Sequence, residues 1–279
     1  MTILVTGGRG LVAGTLLPLL HGKGHDVRVA SSDPAKLNPP EGVPTVKCDL
    51  TDPTTFPAAL DGVTSVFLYA EPAHIDAFVE RAVDAGVRHI VLLSSSSVIA
   101  PDADTNPIAR SHRAVEQALT ASPIETTLLW PGAFASNALQ WSWSIKSTGT
   151  IDLPYPNAHV DPIHEADIAD VALAVLTDPA LSGKEYHLTG PESLSFQEQL
   201  DRIAHVAGRP LSINVISEEA WKEEMTKYVP GEFADALLTW WREHDGSPTE
   251  TTGTVEQVTG RPARSFATWA EDHADVFRN

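Results

Sequence analysis

One cysteine, Cys48, in 279 residues rules out an internal disulfide and suits a reducing compartment. Positive charge is scarce as well: 19 Lys and Arg stand against 37 Asp and Glu, for a formal net charge of −18. So acidic a surface repels phosphate, and no nucleic-acid partner is expected. No apolar run is long enough to span a bilayer, so no membrane association is expected. The chain enters "ILVTGG" without a basic stretch and a long apolar core before it, which argues against a signal peptide. Repeats and low-complexity linkers are missing too. The expectation from these absences is a cytoplasmic, soluble protein. What is present is ordinary for a globular chain: 42% hydrophobic and 20% charged residues, long enough to bury a full core.

Short apolar runs alternate with amphipathic stretches through the first half. "ILVTGG" (3–8), "DVRVASS" (26–32), "TVKCDL" (45–50), "SVFLYA" (65–70), "HIVLLSS" (89–95) and "TTLLWPGAF" (126–134) read as strands. They lack polar alternation, as strands covered on both faces should. The intervening segments read as helices that end near glycine, with Pro18 predicting a distortion in the first. The pattern implies an α/β fold, a Rossmann-type doubly wound parallel sheet. After about residue 135 the sequence turns loop-rich and then helical, with a helix at 165–177 and a strand "KEYHLTG" returning to the core. The expected division is a dinucleotide-binding core over 1–135, completed by about 160–190, and a smaller, mostly helical substrate lobe over 136–279.

"VTGGRGLVAG" (5–14) follows a strand and opens a helix, the context in which a glycine turn binds a dinucleotide. Gly7 permits the tight turn, and Gly10 lets the backbone approach a pyrophosphate seated on the helix start at Leu11 and Val12. Ala13 stands where a third glycine is usual and still allows close packing. At the end of the second strand, Ser31 and Ser32 replace the acidic residue that would hold a ribose 2′-hydroxyl. Arg9, Ser32 and Lys36 can surround a 2′-phosphate, so NADP(H) is favoured over NAD(H). The plainer reading makes Arg9 and Lys36 solvated surface charges. Asp49 in "CDLTD" reaches the adenine edge with Leu50 beside it, and Ala70, closing the fourth strand, joins the cofactor-binding set.

At this point the sequence resembles the atypical short-chain dehydrogenase/reductases, in particular the NmrA-like branch. The resemblance runs nearly end to end through "VTGGRG", "SSDPAKL", "CDLTD", "AVDAGVRHIVLLSS", "HRAVEQAL", "TTLLWPGAFASN", "HEADIADVALAVL", "YHLTGPESLSFQE" and "VEQVTGRPARSFATWAEDHADVF". It implies an NAD(P)H-binding protein of a group that holds quinone, dye and imine reductases together with non-catalytic redox sensors. "GGRG" is similar to reductases of ergot-alkaloid type. Ser32 stands where the family usually has arginine, a departure that Arg9 partly offsets. The resemblance also implies that Pro131 and Phe134 in "WPGAF" pass the nicotinamide.

Short-chain dehydrogenases usually carry Tyr-x-x-x-Lys on the helix after the serine-bearing strand, where the tyrosine transfers a proton. Here that helix starts at Asn106-Pro107, and its matching pair is His112 and Glu116. Three readings of His112 stand open. One is a metal ligand, for which further grouped ligands are missing, so no metal is expected. Another is a satisfied core histidine, with Glu116 pairing to Arg113. The third puts His112 beside the nicotinamide as a site residue. Ser95 and Ser96, at the carboxyl edge of the sheet, either bind a carbonyl or only cap the strand. Trp141 and Trp143 fall in a segment expected to cover the substrate.

The sequence therefore implies an NADPH-dependent reductase passing hydride to a planar, electron-poor acceptor such as a quinone, enone or imine. Such acceptors tolerate the missing tyrosine. The runner-up is an NADP(H) sensor that binds protein partners and catalyses nothing. Epimerase or dehydratase chemistry needs the tyrosine and ranks last. A homodimer is compatible with the sequence.

Overall fold

In a computed structural model, which describes residues 2–278, the first half is a regular alternation of strands and helices. Strands β1 (Thr2–Val5), β2 (Asp26–Ser31), β3 (Thr45–Lys47), β4 (Val63–Tyr69), β5 (His89–Leu93) and β6 (Glu125–Pro131) interleave with α1 (Leu11–Gly22), α2 (Phe56–Leu60), α3 (Ile75–Asp84) and α4 (Pro107–Thr120). Beyond β6 come α5 (Ser142–Thr148), β7 (Thr150–Leu153), β8 (His159–Val160), α6 (Glu165–Thr177) and β9 (Glu185–Leu188). The chain ends with β10 (Leu194–Ser195), α7 (Phe196–Ala207), β11 (Ser212–Val215), α8 (Glu218–Met225), α9 (Gly231–Glu243), α10 (Thr254–Thr259), α11 (Phe266–Asp272) and α12 (Ala274–Phe277).

Seven strands form one parallel sheet in the order β3-β2-β1-β4-β5-β6-β9. The chain builds outward from β1 in one direction and then returns to β4 on its other side. That reversal opens a crevice at the carboxyl ends of β1 and β4, where ligands bind in open α/β sheets. Two small sheets, β10-β8 and β11-β7, lie outside the main one.

The burial pattern explains the elements. β1 and β4 bury nearly every residue, because helices cover both faces of the sheet. Ile75, Phe78, Val79 and Ala82 of α3 recur at helical spacing and turn inward against Phe56, whose ring meets Phe78 edge to face at 5.3 Å. α4 begins where Asn106 accepts the Ile108 and Ala109 amides, at 3.0 and 3.4 Å, with Pro107 in the first turn. α1 differs from expectation. It continues through Pro18 unbroken, with the proline on its exposed side and Gly14, open on its own side, one turn before. A proline that loses its hydrogen bond toward solvent leaves no buried carbonyl unpaired.

A separate core gathers Trp141, Phe196, Trp221, Trp241, Phe266, Trp269 and Phe277. It is pinned to the start of α6 by buried polar groups. Glu165 accepts from Trp269 Nε1 at 3.0 Å and pairs with His273 Nε2 at 2.6 Å. Burial pushes its carboxyl up, but bonds from His164, its own backbone and His273 outweigh that and hold it at about 2. Asp167, 1% exposed, accepts the Arg264 amide at 2.7 Å and pairs with its guanidinium. Burial still raises the Asp167 pKa, against the pull of Arg264. An Arg264→Met variant leaves that carboxylate buried without its partner. Its unfolding free energy should fall by about 3 kcal/mol near neutral pH, the low end for a broken buried pair because Arg264 is partly exposed. The deficit should shrink in acid as Asp167 takes up a proton, which denaturant unfolding at the two pH values checks.

Candidate functional site

The cleft at the sheet reversal begins with a backbone turn only glycine makes easily. Gly7 adopts φ +64°, and a Cβ there would lie 2.9 Å from the Tyr69 ring. The Gly10 amide closes the turn on Gly7 O at 2.7 Å, and Gly10 itself caps α1. No side chain accepts from the first amides of α1 and its first turn holds no acidic residue. The helix start therefore offers free N–H donors and a positive dipole end to an anion. Gly8 serves packing instead: a Cβ there would meet Val29 Cγ2 at 2.4 Å.

The cleft encloses about 390 Å³ and is lined by Thr6, Gly7, Arg9 to Ala13, Ser31, Ser32, Cys48, Phe67, Tyr69, Leu93, Phe134 and Ser136. Of the residues expected from sequence to hold the cofactor, Gly7, Arg9, Gly10, Leu11, Val12, Ser31, Ser32 and Phe134 come together on this wall. Arg9 Nη2 lies 3.4 Å from Ser32 Oγ, so the one guanidinium of the turn reaches the tip of β2. Such an arrangement fits a dinucleotide: free amides for a pyrophosphate, a cation at the second strand, and apolar Leu93 and Phe134 at the far end for a flat ring.

Five of the expected residues stand elsewhere. Lys36 is paired with Asp33 at 3.0 Å and lies off the wall. The Asp49 carboxylate is turned onto its own loop, accepting the Thr51 amide at 3.0 Å and the Thr51 hydroxyl at 2.7 Å. Those bonds from Thr51 hold its pKa below the usual carboxylate range. Leu50 is buried in the core under α2 and α3. Ala70 packs toward that same core, and its neighbour Tyr69 lines the cleft, because successive side chains of a strand face opposite ways. Pro131 is buried within β6, paired with Leu188.

The tryptophans also sit differently from expectation. Trp141 is 7% exposed and meets Phe196 edge to face at 6.0 Å, so it fills the core of the second half. Trp143 begins α5 and is 77% exposed. Neither lines the cleft. The reason is local: residues 135–148 form 3-10 and α-helical turns whose apolar side faces Phe196 and Trp241.

His112 and Glu116 do not act as a pair. Glu116 Oε1 accepts from Ser94 Oγ at 2.5 Å and from Trp130 Nε1 at 2.8 Å, tying α4 to the ends of β5 and β6. Arg113, expected to hold Glu116, instead donates to Val98 O at 2.7 Å and pairs with Asp104 at 2.5 Å. His112 Nδ1 is buried and has no hydrogen-bond partner among the described residues, and His112 does not line the cleft. Burial alone pulls its pKa down and keeps the ring neutral at neutral pH. Ser95 Oγ accepts the Ser97 amide at 3.2 Å as a cap, and Ser96 opens the short 3-10 turn that follows. Neither serine lines the cleft, while Ser97 Oγ is buried without a partner. Among the described residues, no group of three His, Cys, Asp or Glu side chains is arranged to hold a metal. No helix among them is long and apolar enough to cross a membrane.

Sequence reasoning missed Thr6, Cys48, Phe67, Tyr69, Leu93 and Ser136. Alternation along β4 would have found Phe67 and Tyr69, which share one face of that strand. Nothing local marks Ser136, which lies in the 3-10 turn that follows β6.

Known proteins match this picture along the whole chain. It is 35% identical over 280 residues to a (4-alkanoyl-5-oxo-2,5-dihydrofuran-3-yl)methyl phosphate reductase of Streptomyces griseus, covering 99% of each chain. It is 35% identical over 287 residues to an NAD(P)H azoreductase of Xenophilus azovorans, again covering 99% of each. In fold it resembles an NADPH-dependent quinone oxidoreductase of Escherichia coli solved with NADPH, with a TM-score of 0.80 at 22% identity over 97% of this chain and 99% of the other. The sequence pattern of the NmrA-like family matches residues 1–271, and the chain belongs to that family.

Proposed function

We propose that the protein is an NADPH-dependent reductase that delivers hydride to a planar, electron-poor organic acceptor: a quinone, enone or imine. The observation that carries this reading is the cleft wall from Gly7 to Ala13, with its free helix amides and with Arg9 beside Ser32. Relatives support the acceptor class, since one reduces an oxo-dihydrofuran and another is an azoreductase.

Each residue has a task in this scheme. The amides of Leu11 and Val12 hold the pyrophosphate against the dipole of α1. Arg9, with Ser32, holds the 2′-phosphate that distinguishes NADPH from NADH. When bound, the cofactor supplies the hydride. Leu93 and Phe134 would keep the reacting end apolar, where a nicotinamide and a flat acceptor could stack.

Protonation is the step the missing tyrosine would normally serve. Hydride addition to a quinone or enone gives a stabilised anion, which takes its proton from water. His112 does not line the cleft and its Nδ1 is buried, so in this scheme it gives the acceptor no proton. A His112→Ala variant should keep its NADPH affinity and lose less than about tenfold in kcat. A loss beyond about a hundredfold would instead make His112 the general acid. Steady-state kinetics with a quinone, alongside calorimetric NADPH binding, separates these outcomes.

A further inference from the structure

Asp161 packs against the backbone that leads into Phe134 on the cleft wall, outside every motif used so far. Its segment runs beside the exit of β6: Ile163 N donates to Ala133 O at 2.8 Å, and Ala135 N donates to Ile163 O at 2.9 Å. The Asp161 carboxylate accepts the Ala133 amide through Oδ1 at 3.0 Å. A Cβ on Gly132 would stand 2.3 Å from Oδ2 and 2.4 Å from Oδ1, so the backbone rests on the carboxylate itself. The next residue along, Phe134, faces the cleft.

This carboxylate is held at a cost. Burial drives its pKa up to about 6, against the opposing bonds from Ala133 and its own backbone. Gly132–Ala133 and Leu188–Gly190, which pack on it, bring no titratable side chain. The ionisable group that acts on it is His244 at the end of α9, with Asp245 beside that histidine exposed to solvent. At neutral pH Asp161 is thus an ionised group in poor solvent. Asparagine would accept the same amide without a charge to desolvate. The hydrogen bond therefore accounts for the acceptor oxygen and leaves the charge to be explained.

We propose that the Asp161 carboxylate biases the nicotinamide end of the cleft toward the oxidised cofactor. The inference rests on the dinucleotide reading above. A nicotinamide ring is neutral when reduced and positively charged when oxidised, and a poorly hydrated anion against this backbone attracts only the charged form. The same attraction favours hydride donation over its reversal. Asp161 acts through the backbone of Gly132 and Ala133, as a positioning and electrostatic residue.

The test is calorimetric titration of the wild type and Asp161→Asn with NADPH and with NADP+, at about pH 8 and about pH 5.5. The reading is the ratio of the NADPH Kd to the NADP+ Kd, from which the titration of the shared phosphates cancels. At the higher pH the wild-type ratio should exceed that of Asp161→Asn by about tenfold. At the lower pH, where Asp161 is partly protonated, that excess should fall to about threefold. A His244→Asn variant removes the other ionisable group and should retain the wild-type fall between the two pH values. Equal ratios in wild type and Asp161→Asn at both pH values overturn the proposal. If Asp161→Asn does not fold, a wild-type ratio unchanged between the two pH values overturns it instead. Failure of either cofactor to bind at all overturns the dinucleotide reading and this proposal together, whereas tight binding with a flat ratio overturns this proposal alone.

Discussion

A Gly7→Val variant should lose nicotinamide binding by more than about a hundredfold in Kd while remaining folded. Valine at φ +64° is strained, because its branched Cβ crowds the backbone in the left-handed region. The same Cβ would stand 2.9 Å from Tyr69 Cδ1, on a ring that lines the cleft. Strain at Gly7 disturbs the turn that leads to the free amides of α1, which a pyrophosphate has to reach. Folding should survive, because Gly7 borders the cleft and its strain is local. Calorimetric titration, with circular dichroism on the same sample, tests both halves. Unchanged affinity would mean that the dinucleotide binds elsewhere.

The second large effect concerns cofactor choice. Arg9→Ala should weaken NADPH binding by about thirtyfold and NADH binding by less than about threefold. Arg9 is the guanidinium that reaches Ser32, and no acidic residue at the tip of β2 favours a bare ribose. Because Arg9 and Ser32 are exposed, the NADPH preference should also fall as salt rises. Lys36→Ala should matter far less, since that ammonium is already paired with Asp33. Side-by-side titrations of the two reduced cofactors read the result directly. Equal losses for both would place the 2′-phosphate away from Arg9.

The sheet was legible because most of its strands are apolar runs between helices that end near glycine, a signal that survives without any partner in view. The glycine turn was legible for a related reason. Gly7 and Gly10 sit at fixed distances from β1 and α1, so local geometry alone places them. Failures began where a side chain's direction depends on a distant element. Asp49 and Ala70 lie at strand tips near the cleft, yet Asp49 bonds back to Thr51 and Ala70 packs toward the core. Trp141 read as a cover for the substrate because its partner Phe196 is more than fifty residues away in sequence. Glu116 read as a helix-surface partner of Arg113, and only the arrival of β5 and β6 gives it Ser94 and Trp130. Asp161 carried no sequence signal at all. Its position depends on a Gly132 whose bare backbone admits it, and a single glycine in "WPGAF" has many plainer explanations.

The central claim is that the cleft holds a reduced nicotinamide where an acceptor can take its hydride. Spectrophotometry of NADPH with excess protein and a panel of quinones, enones and imines tests it most directly. The account predicts loss of the reduced-cofactor absorbance with at least one planar acceptor, together with appearance of the reduced acceptor in equal amount. Tight NADPH binding with no oxidation by any acceptor would contradict it and leave a sensor of cofactor redox state.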